Sequence, residues 1–518
     1  MSAHPKLFIL APKISPMTVR QALQAQLGSI AGTITLQRLQ IMDSFDWRLA
    51  AQGLLFVAEE TRCRLLDRYT GRMKASASWN PGARVSFWWQ MADSAVKEVL
   101  RQYLDIRALM LCMELSKTNA TLRLLTPDQK PLVRLAIDTF RTGNTSLKSP
   151  PLLRTCRVIP ARGHAHARQP VEAILAALGA TRAQAHPLPL ALEKAGFSPG
   201  HYSTKMNLDL TPSMSAGQAA GVIMKRLLDI MRANEAGMCA DIDTEFLHDF
   251  RVAVRRARSL WILFKEESDP ALAELLKNNL RRVGRATNAL RDLDVYLLKQ
   301  GQYEQMLPHS MRPDIGPLFE YLRGRRQVEV QKLAAFIASN EYGELQRVVQ
   351  RWVDSVQAVN TSSAQATSVP LVELARRQIQ ECFISVLQTG DLGGGEMSDE
   401  QLHQLRIQCK RLRYALEFFQ SLFDRSEVAE IIKKMKALQD FLGAYNDKVV
   451  QQQFLLRFIK KVPAKRKSKQ TTLVAAVGTL IGSLGFEKER MRTSFSENFT
   501  AFSAPENQER FKQLLNSP

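Results

Sequence analysis

The chain repeats one helical segment at a constant distance of 155 residues. His248–Phe264 (HDFRVAVRRARSLWILF) recurs as His403–Phe419 (HQLRIQCKRLRYALEFF), since 403 − 248 = 155. The register continues without insertion from Asp292 to Asp447, where 447 − 292 is again 155. A helical segment that recurs together with the helix after it indicates an internal repeat of a helical hairpin. Much of the chain should therefore fold into two similar helical units.

Each copy places cations on one helical face and apolar side chains on the other. At about 100° per residue, four basic side chains of the first copy fall within a sector about 80° wide, and apolar side chains fill the opposite face. A solvated surface would explain one basic face, but it does not require matching cations at matching positions in two copies. The basic faces are therefore a candidate binding site, formed by His248, Arg251, Arg255 and Arg258 in the first copy and by His403, Arg406, Lys410 and Arg413 in the second.

The helix that follows each basic face adds further cations to the candidate site. Those of the first copy recur every four residues, and those of the second lie one turn apart. The symmetry is imperfect, because Arg285 falls on Asp440 in the repeat register (440 − 285 = 155). The two halves of the site therefore need not contribute equally. The added cations are Lys277, Arg281 and Arg285 in the first copy and Lys433 and Lys436 in the second.

The two basic segments, each followed by a helix that ends in RDLDV or in its counterpart NDKVV, resemble the CHAD family, the conserved-histidine α-helical domains. The resemblance covers about residues 216–518. It implies two four-helix bundles related by a pseudo-twofold axis, whose basic helix faces line a central pore that binds inorganic polyphosphate. The polar stretch at 358–369 indicates a flexible linker between repeat one (216–357) and repeat two (370–518).

The net charge of the chain restricts the class of its binding partner. A formal net charge of +21 and a pI near 9.8 indicate a polyanion, which leaves nucleic acid, an anionic membrane surface and polyphosphate. Nucleic acid is the strongest competitor for the site. Single-strand binders interleave aromatic rings with cations so that bases can stack, whereas the aromatic residues near the basic faces lie mostly on or beside the apolar faces, with Tyr414 as the exception. We therefore expect inorganic polyphosphate as the partner, with polyphosphate granule proteins as further candidates and no membrane.

A metal-dependent phosphohydrolase acting on triphosphate or polyphosphate is the alternative from another functional class. The paired Asp292 and Asp447 offer two carboxylates, but one Asp per repeat flanked by basic residues is more simply an ion-pair partner that orients the arginines. The cations beside His248 and His403 would repel a metal ion. We therefore expect a non-catalytic protein with no metal and no cofactor.

The sequence of the amino-terminal region predicts β-strands rather than a helical bundle. Short apolar or alternating runs predict strands at 7–10, 33–41, 53–58, 62–67, 109–116, 120–126 and 132–139, with a helix at 18–26. This pattern predicts an antiparallel domain that precedes the helical one, so the fold class is α+β. The predicted domains are 1–205, a linker at 206–215 and the helical domain at 216–518.

Residues 41–60 (IMDSFDWRLAAQGLLFVAEE), where a strand leads to an aromatic-Asp turn, a Leu, a Gly and another strand, are similar to the CYTH triphosphatase-tunnel family, and so are residues 110–140. The resemblance implies a Glu-x-Glu-x-Lys strand that holds metal and phosphate. Here the corresponding strand is KLFIL at 6–10, without a carboxylate, and the strand after Gly53 is apolar where the family places arginines. A hard divalent cation needs oxygen ligands. We therefore expect a degenerate, non-catalytic CYTH-like domain.

Two basic segments lie outside the repeat. Residues 148–170 are rich in Pro, Arg and His and predict a surface loop. Residues 460–469 (KKVPAKRKSK) either contact a polyanion or form a solvated loop between helices. The six cysteines lie far apart without a Cys-x-x-Cys pair, and the amino terminus lacks the apolar segment of a signal peptide. We expect free thiols and a cytoplasmic location, with an association with polyphosphate granules.

Overall fold

The computed structural model describes residues 6–80, 85–143, 149–183, 186–200, 202–264, 270–358, 369–391, 397–461 and 468–516. They fall into two compact units, Met1–Ser203 and Thr204–Pro518. The first contains an antiparallel sheet and the second consists of helices, so the predicted α+β class is confirmed. No helix within the described ranges has both the length and the hydropathy that a membrane crossing requires.

The strands of the first unit are β1 (Lys6–Leu10), β2 (Ile30–Asp43), β3 (Leu54–Ala58), β4 (Arg62–Asp67), β5 (Met73–Ser78), β6 (Val85–Ser86), β7 (Leu109–Leu125), β8 (Pro131–Thr142), β9 (Leu153–Pro160) and β10 (Thr181–Arg182). They pair antiparallel in the order β10-β1-β9-β8-β7-β2-β3-β4-β5, with β6 on β7. This sheet is compatible with the predicted CYTH-like domain. Its helices are α1 (Pro16–Leu27), α2 (Arg48–Ala51), α3 (Ala95–Leu104), α4 (Arg168–Ala177) and α5 (Pro187–Lys194).

Apolar helix faces cover this sheet. Val19 and Leu23 of α1 and Val171 and Leu175 of α4 are fully buried against apolar side chains of β1, β7, β8 and β9. A second cluster buries α3 against β3 and β4. The core of the first unit therefore lies between the sheet and the helices packed on it.

One long strand replaces two of the predicted ones. The prediction of separate strands at 109–116 and 120–126 is wrong, because β7 runs through both and pairs continuously with β8 from Leu115 to Leu124. Of the polar residues between them, Lys117 and Asn119 contact the buried carboxylate of Asp138, which accepts a hydrogen bond from Asn119 at 2.7 Å and lies 3.3 Å from the Lys117 ammonium. Polar strand residues are tolerated here because each has a partner.

The predicted surface loop at 148–170 is mostly regular structure. Of its described residues, 153–160 form β9 and 168–170 begin α4. Thr155, Cys156 and Val158 of β9 are almost fully buried, and the strand pairs with both β1 and β8. The arginines that suggested a loop alternate with these buried positions.

The second unit repeats its helices at the same interval as its sequence. The starts of α6 and α12 differ by 371 − 216 = 155, those of α7 and α13 by 399 − 244 = 155, and those of α8 and α14 by 425 − 270 = 155. The described helices are α6 (Ala216–Cys239), α7 (Thr244–Leu263), α8 (Pro270–Leu298), α9 (Gln300–Gln305), α10 (Gly316–Ile337), α11 (Asn340–Ala358), α12 (Leu371–Asp391), α13 (Asp399–Phe419), α14 (Arg425–Ile459), α15 (Ser468–Thr493), α16 (Phe495–Ser503) and α17 (Pro505–Asn516).

Capping residues also keep the interval. Asp243 caps α7 by accepting hydrogen bonds from the amides of Glu245 and Phe246, and Ser398, 155 residues later, caps α13 through a capping box with Gln401. Helix α14 is continuous from 425 to 459. The predicted linker at 358–369 lies almost wholly outside the described residues, since 359–368 are not described.

Helices α7 and α13 meet through repeat-equivalent residues. The rings of Phe264 and Phe419, which differ by 155, lie 5.7 Å apart. Beside them the buried Arg256 donates to Glu417 at 2.6 Å and to the Thr204 carbonyl oxygen at 2.7 Å. Contact between equivalent residues is what a twofold relation between two units produces. The buried ion pair therefore ties the first repeat to the second.

Replacing Arg256 by methionine should lower the free energy of unfolding of the helical unit by about 3 kcal/mol, because Glu417 then stays buried with one fewer cation. Arg413 also donates to Glu417 at 2.6 Å. Because this cation remains, the loss should stay near about 3 kcal/mol, the low end of what breaking a buried ion pair costs. Urea unfolding of the full chain, followed by helical circular dichroism, measures the change. The control is Arg425→Met, which removes an exposed ion pair with Asp209 and should cost less than about 1 kcal/mol. Equal losses would contradict a stabilising role for the buried pair.

Candidate functional site

A cavity of about 450 Å³ lies between α7, α8, α13 and α14. Of the described residues that line it, all but His248 form pairs that differ by 155 residues. The cavity therefore lies where the two repeats face each other. The pairs are Arg251 and Arg406, Arg255 and Lys410, Arg291 and Asn446, Asp292 and Asp447, Val295 and Val450, and Tyr296 and Gln451.

Three cations of this cavity lack an anionic partner. Arg255, Arg406 and Lys410 have no carboxylate within ion-pair distance among the residues that the structure describes. The Nε atoms of both arginines are buried and make no hydrogen bond there. Arg251 is held differently, since it donates to the Thr287 hydroxyl at 2.6 Å and to the Gly284 carbonyl oxygen at 3.2 Å. Half-buried cations without partners favour an anionic ligand.

Burial and mutual repulsion weaken the hold of these cations on their protons. Burial, together with the positive charges of Arg255 and Arg406, lowers the pKa of Lys410 to about 7. Burial also lowers the pKa of Arg406 and of Arg251. Arginine stays charged at neutral pH even so, whereas Lys410 is close to half-neutral. An anion in the cavity would reverse this effect by stabilising the protonated form.

Two carboxylates also line the cavity. Asp447 forms an ion pair with Lys299 at 2.9 Å. Burial raises the pKa of Asp292, against the opposing effect of Arg251, and Asp447 adds to the rise. Asp447 thus pairs with a lysine, whereas the sequence predicted that the two aspartates orient the arginines. Cations and carboxylates line the same cavity.

The equivalent histidines make different hydrogen bonds. The His248 Nδ1 atom lies 2.8 Å from Arg291 Nη2, and because a guanidinium only donates, this nitrogen accepts and the ring proton sits on Nε2. The His403 Nδ1 atom lies 2.7 Å from the Asn446 carbonyl oxygen, so there Nδ1 donates. The two rings therefore hold opposite tautomers.

A second cavity, of about 500 Å³, adjoins the first and shares Arg251 and Arg255 with it. Its further lining adds basic side chains from three helices. The two cavities together form a continuous basic track from α8 past α7 to α13. The added basic residues are Arg258, Arg281, Arg285 and His403.

Nine of the predicted site residues line these two cavities: His248, Arg251, Arg255, Arg258, Arg281, Arg285, His403, Arg406 and Lys410. The other predicted residues lie elsewhere. Lys277 and Lys433 form ion pairs with Glu274 and Glu430 on their own helices, and Lys436 is exposed. Arg413 donates to Glu417 and Gln439.

The sequence did not single out Arg291, Asn446 or Gln451, although all three line the cavity. Arg291 and Asn446 stand directly before the paired aspartates, so the repeat register itself was the available signal. The description of Tyr414 as an aromatic residue away from the core was wrong. Its side chain is 6% exposed, and the Arg256 guanidinium lies over its ring at 5.7 Å. Of the basic segment 460–469, residues 462–467 lie outside the described part of the chain.

Comparison with protein families identifies the helical unit. The model of the family described as "CHAD domain" matches residues 222–456. These residues form a CHAD domain. The resemblance seen in the two basic helices is thereby confirmed, and the cavities lie within the CHAD domain.

Individual relatives are distant. Two uncharacterized proteins of Mycobacterium tuberculosis, from strains CDC 1551 and H37Rv, are each 24% identical over 218 residues, which is 41% of this chain. The match spans 40% of the length of these relatives.

Solved structures are likewise similar at low identity. The CHAD domain from the plant Ricinus communis is 24% identical and has a TM-score of 0.49, with 59% of this chain and 98% of that chain covered. PptA from Streptomyces chartreusis is 14% identical, with a TM-score of 0.42 and coverage of 55% and 99%. A putative adenylyl cyclase from Hippeastrum, described as having a dominant triphosphatase activity, is 14% identical, with a TM-score of 0.25 and coverage of 38% and 96%.

The lowered pKa of Lys410 predicts an unusually reactive amine. Labelling with acetic anhydride, quantified by mass spectrometry over a range of pH, should follow a midpoint near pH 7 at this residue. In the Arg406→Gln variant the midpoint should rise, because one neighbouring positive charge is gone. A midpoint close to the usual lysine value of 10.5, or no change in the variant, would contradict the electrostatic description of the cavity.

Proposed function

We propose that the CHAD domain binds inorganic polyphosphate along the two adjoining cavities and that the protein does so without catalysis. The observation that carries the proposal is the group of Arg255, Arg406 and Lys410, which face one cavity without a carboxylate ion-pair partner among the described residues. Holding such cations together costs free energy until an anion joins them. The ligand should therefore carry closely spaced negative charges.

Polyphosphate meets this requirement. Each phosphate unit carries about one negative charge, and its oxygens accept forked hydrogen bonds from arginine and point-charge contacts from lysine. Nucleic acid carries one phosphate for each nucleotide, with a sugar between successive phosphates. The cations of α7 and α13 recur one helical turn apart and line the same cavity. This density favours a chain of directly linked phosphates over a nucleic-acid backbone.

The absence of catalysis is supported by the residues of both units. Within the described ranges, no three His, Cys, Asp or Glu side chains come together as a metal site would require. In the first unit, Lys6 of β1 forms an ion pair with Glu172 of α4, and the strand supplies no carboxylate. In the CHAD domain, Asp447 is already paired with Lys299. The protein is therefore proposed as a polyphosphate-binding protein, with its cytoplasmic location and its association with polyphosphate granules as further predictions.

Removing two cavity arginines should abolish most of the binding. The Arg255→Gln, Arg406→Gln double variant should lose about 100-fold or more in affinity for long-chain polyphosphate, since a hydrogen bond to a charged group contributes about 1.5–3 kcal/mol. Isothermal titration calorimetry at fixed salt measures the loss, and circular dichroism checks the fold. Wild-type binding of duplex and single-stranded DNA at the same salt tests the competing ligand.

The matched control is Lys433→Gln, Lys436→Gln, which removes the same charge from exposed positions outside both cavities. This control should change the affinity less than about threefold, in keeping with the small contribution of exposed charges. Equal losses in the two double variants would replace the cavity by a diffuse basic surface. Tighter binding of DNA than of polyphosphate would favour the nucleic-acid alternative.

Polyphosphate binding should also depend on Lys410 through pH. In the free protein the pKa of Lys410 is lowered to about 7, and a bound anion raises it, so binding takes up a proton. Affinity should therefore be highest below pH 7 and fall by up to about tenfold per pH unit above it. Calorimetry at pH 8 in buffers of different ionisation enthalpy measures the proton uptake.

The Lys410→Arg variant separates this effect from the histidines, because it keeps the positive charge at all these pH values while His248 and His403 remain. Its affinity should vary less between pH 7 and pH 8.5 than that of the wild type. An unchanged pH dependence in this variant would assign the proton uptake to a group other than Lys410.

A further inference from the structure

A third pocket, of about 270 Å³, adjoins the cation cavity and differs from it in character. The two share Asp292, Tyr296 and Val450, so they are continuous. Aromatic rings dominate the new pocket. Tyr296 and Phe454 have ring centroids 4.4 Å apart, and Tyr321 and Phe458 have centroids 5.4 Å apart.

Not all of these rings are buried in the hydrophobic core. Tyr321 is 39% exposed, and Phe454 and Phe458 are half-buried at the edge of the apolar cluster between α8, α10, α14 and α15. Arg325, which donates to the Tyr321 hydroxyl at 3.4 Å, and Arg457 stand beside them. Aromatic rings together with arginine guanidinium groups are a surface on which a planar heterocycle stacks.

Inorganic polyphosphate could use only part of this pocket. Arg325, Arg457 and Lys461 offer cations to a phosphate chain, but such a chain has no planar or apolar group for the rings. Asp292 lines both spaces, and a carboxylate repels phosphate oxygens but accepts hydrogen bonds from hydroxyl groups, as the acidic residue of dinucleotide-binding folds does with ribose. Between the cation cavity and the aromatic rings the structure thus places a carboxylate.

That order matches the phosphates, the sugar and the base of one class of ligand. We propose that the CHAD domain also binds nucleoside oligophosphates, with the phosphates beside Arg255, Arg406 and Lys410, a ribose hydroxyl donating to Asp292, and the base stacked on the exposed part of the ring pair Tyr321 and Phe458. The inference rests on the proposed function, because it places the phosphates in the same cation cavity. It goes beyond that function in naming a second ligand class and the residues that recognise it.

The test compares inorganic tetraphosphate with adenosine 5′-tetraphosphate by calorimetry at one pH and one salt concentration. Wild-type protein should bind the nucleotide about 10-fold or more tightly than inorganic tetraphosphate, since stacking contributes about 1–3 kcal/mol per base. In the Tyr321→Leu, Phe458→Leu variant this preference should disappear while the affinity for inorganic tetraphosphate stays within about twofold. Leucine keeps much of the apolar contact of both side chains and removes the rings, together with the Tyr321 hydroxyl that Arg325 contacts.

A control variant and an Asp292 variant test the proposed base and ribose contacts further. The control Phe486→Leu removes an aromatic ring that is 72% exposed and lies outside the pocket, and it should leave both affinities unchanged. In the Asp292→Ala variant, inorganic tetraphosphate should bind more tightly. The preference for adenosine 5′-tetraphosphate over 2′,3′-dideoxyadenosine 5′-tetraphosphate should vanish.

The outcomes separate the two proposals. If wild-type protein binds inorganic tetraphosphate but shows no preference for the nucleotide, or if the preference survives the leucine variant, the base site is wrong and polyphosphate binding stands. If wild-type protein binds neither ligand, nor long-chain polyphosphate, the cation cavity is not a phosphate site and both proposals fail.

Discussion

Repulsion among buried cations at the junction of the two repeats is the constraint on which the site depends. Arg255 and Lys410 are repeat-equivalent residues that face the same cavity, and Arg406 lies close enough to both to alter their electrostatics. Two copies of the same basic residue carry the same charge, so neither copy can neutralise the other. A twofold relation between basic helices therefore concentrates positive charge on the axis, unless a carboxylate from elsewhere is brought in.

The surrounding structure opposes that repulsion with contacts that do not neutralise the site. Phe264 packs against Phe419, and Arg256 is paired with Glu417 outside the cavity. Apolar burial and a separate ion pair thus hold α7 and α13 together, while Arg255, Arg406 and Lys410 face the cavity without a carboxylate ion-pair partner among the described residues.

The sequence predicted the parts of this arrangement that periodicity controls. The interval of 155 residues fixed which helices are equivalent, and the helical wheel separated Arg251 and Arg255 from the buried Phe250. It could not predict which cations would find local partners. Lys433 has Glu430 one turn away and is exposed, whereas Lys410 has no such neighbour and lines the cavity. Nor could it predict that polar residues of β7 would be satisfied by Asp138, since that partner lies on another strand.

The two repeats carry different residues at some equivalent positions of the cavity, so the site is not symmetric. The position occupied by Tyr296 in the first repeat is Gln451 in the second, and Arg291 is replaced by Asn446, so the two ends of the cavity differ in chemistry although their backbones are equivalent. The same substitution decides the histidine tautomers, because Arg291 forces its neighbour to accept and Asn446 lets its neighbour donate. A strictly symmetric site would bind a uniform chain in either direction. The cation cavity and the adjoining pocket, which adds aromatic rings to further cations, instead offer different surroundings along the site.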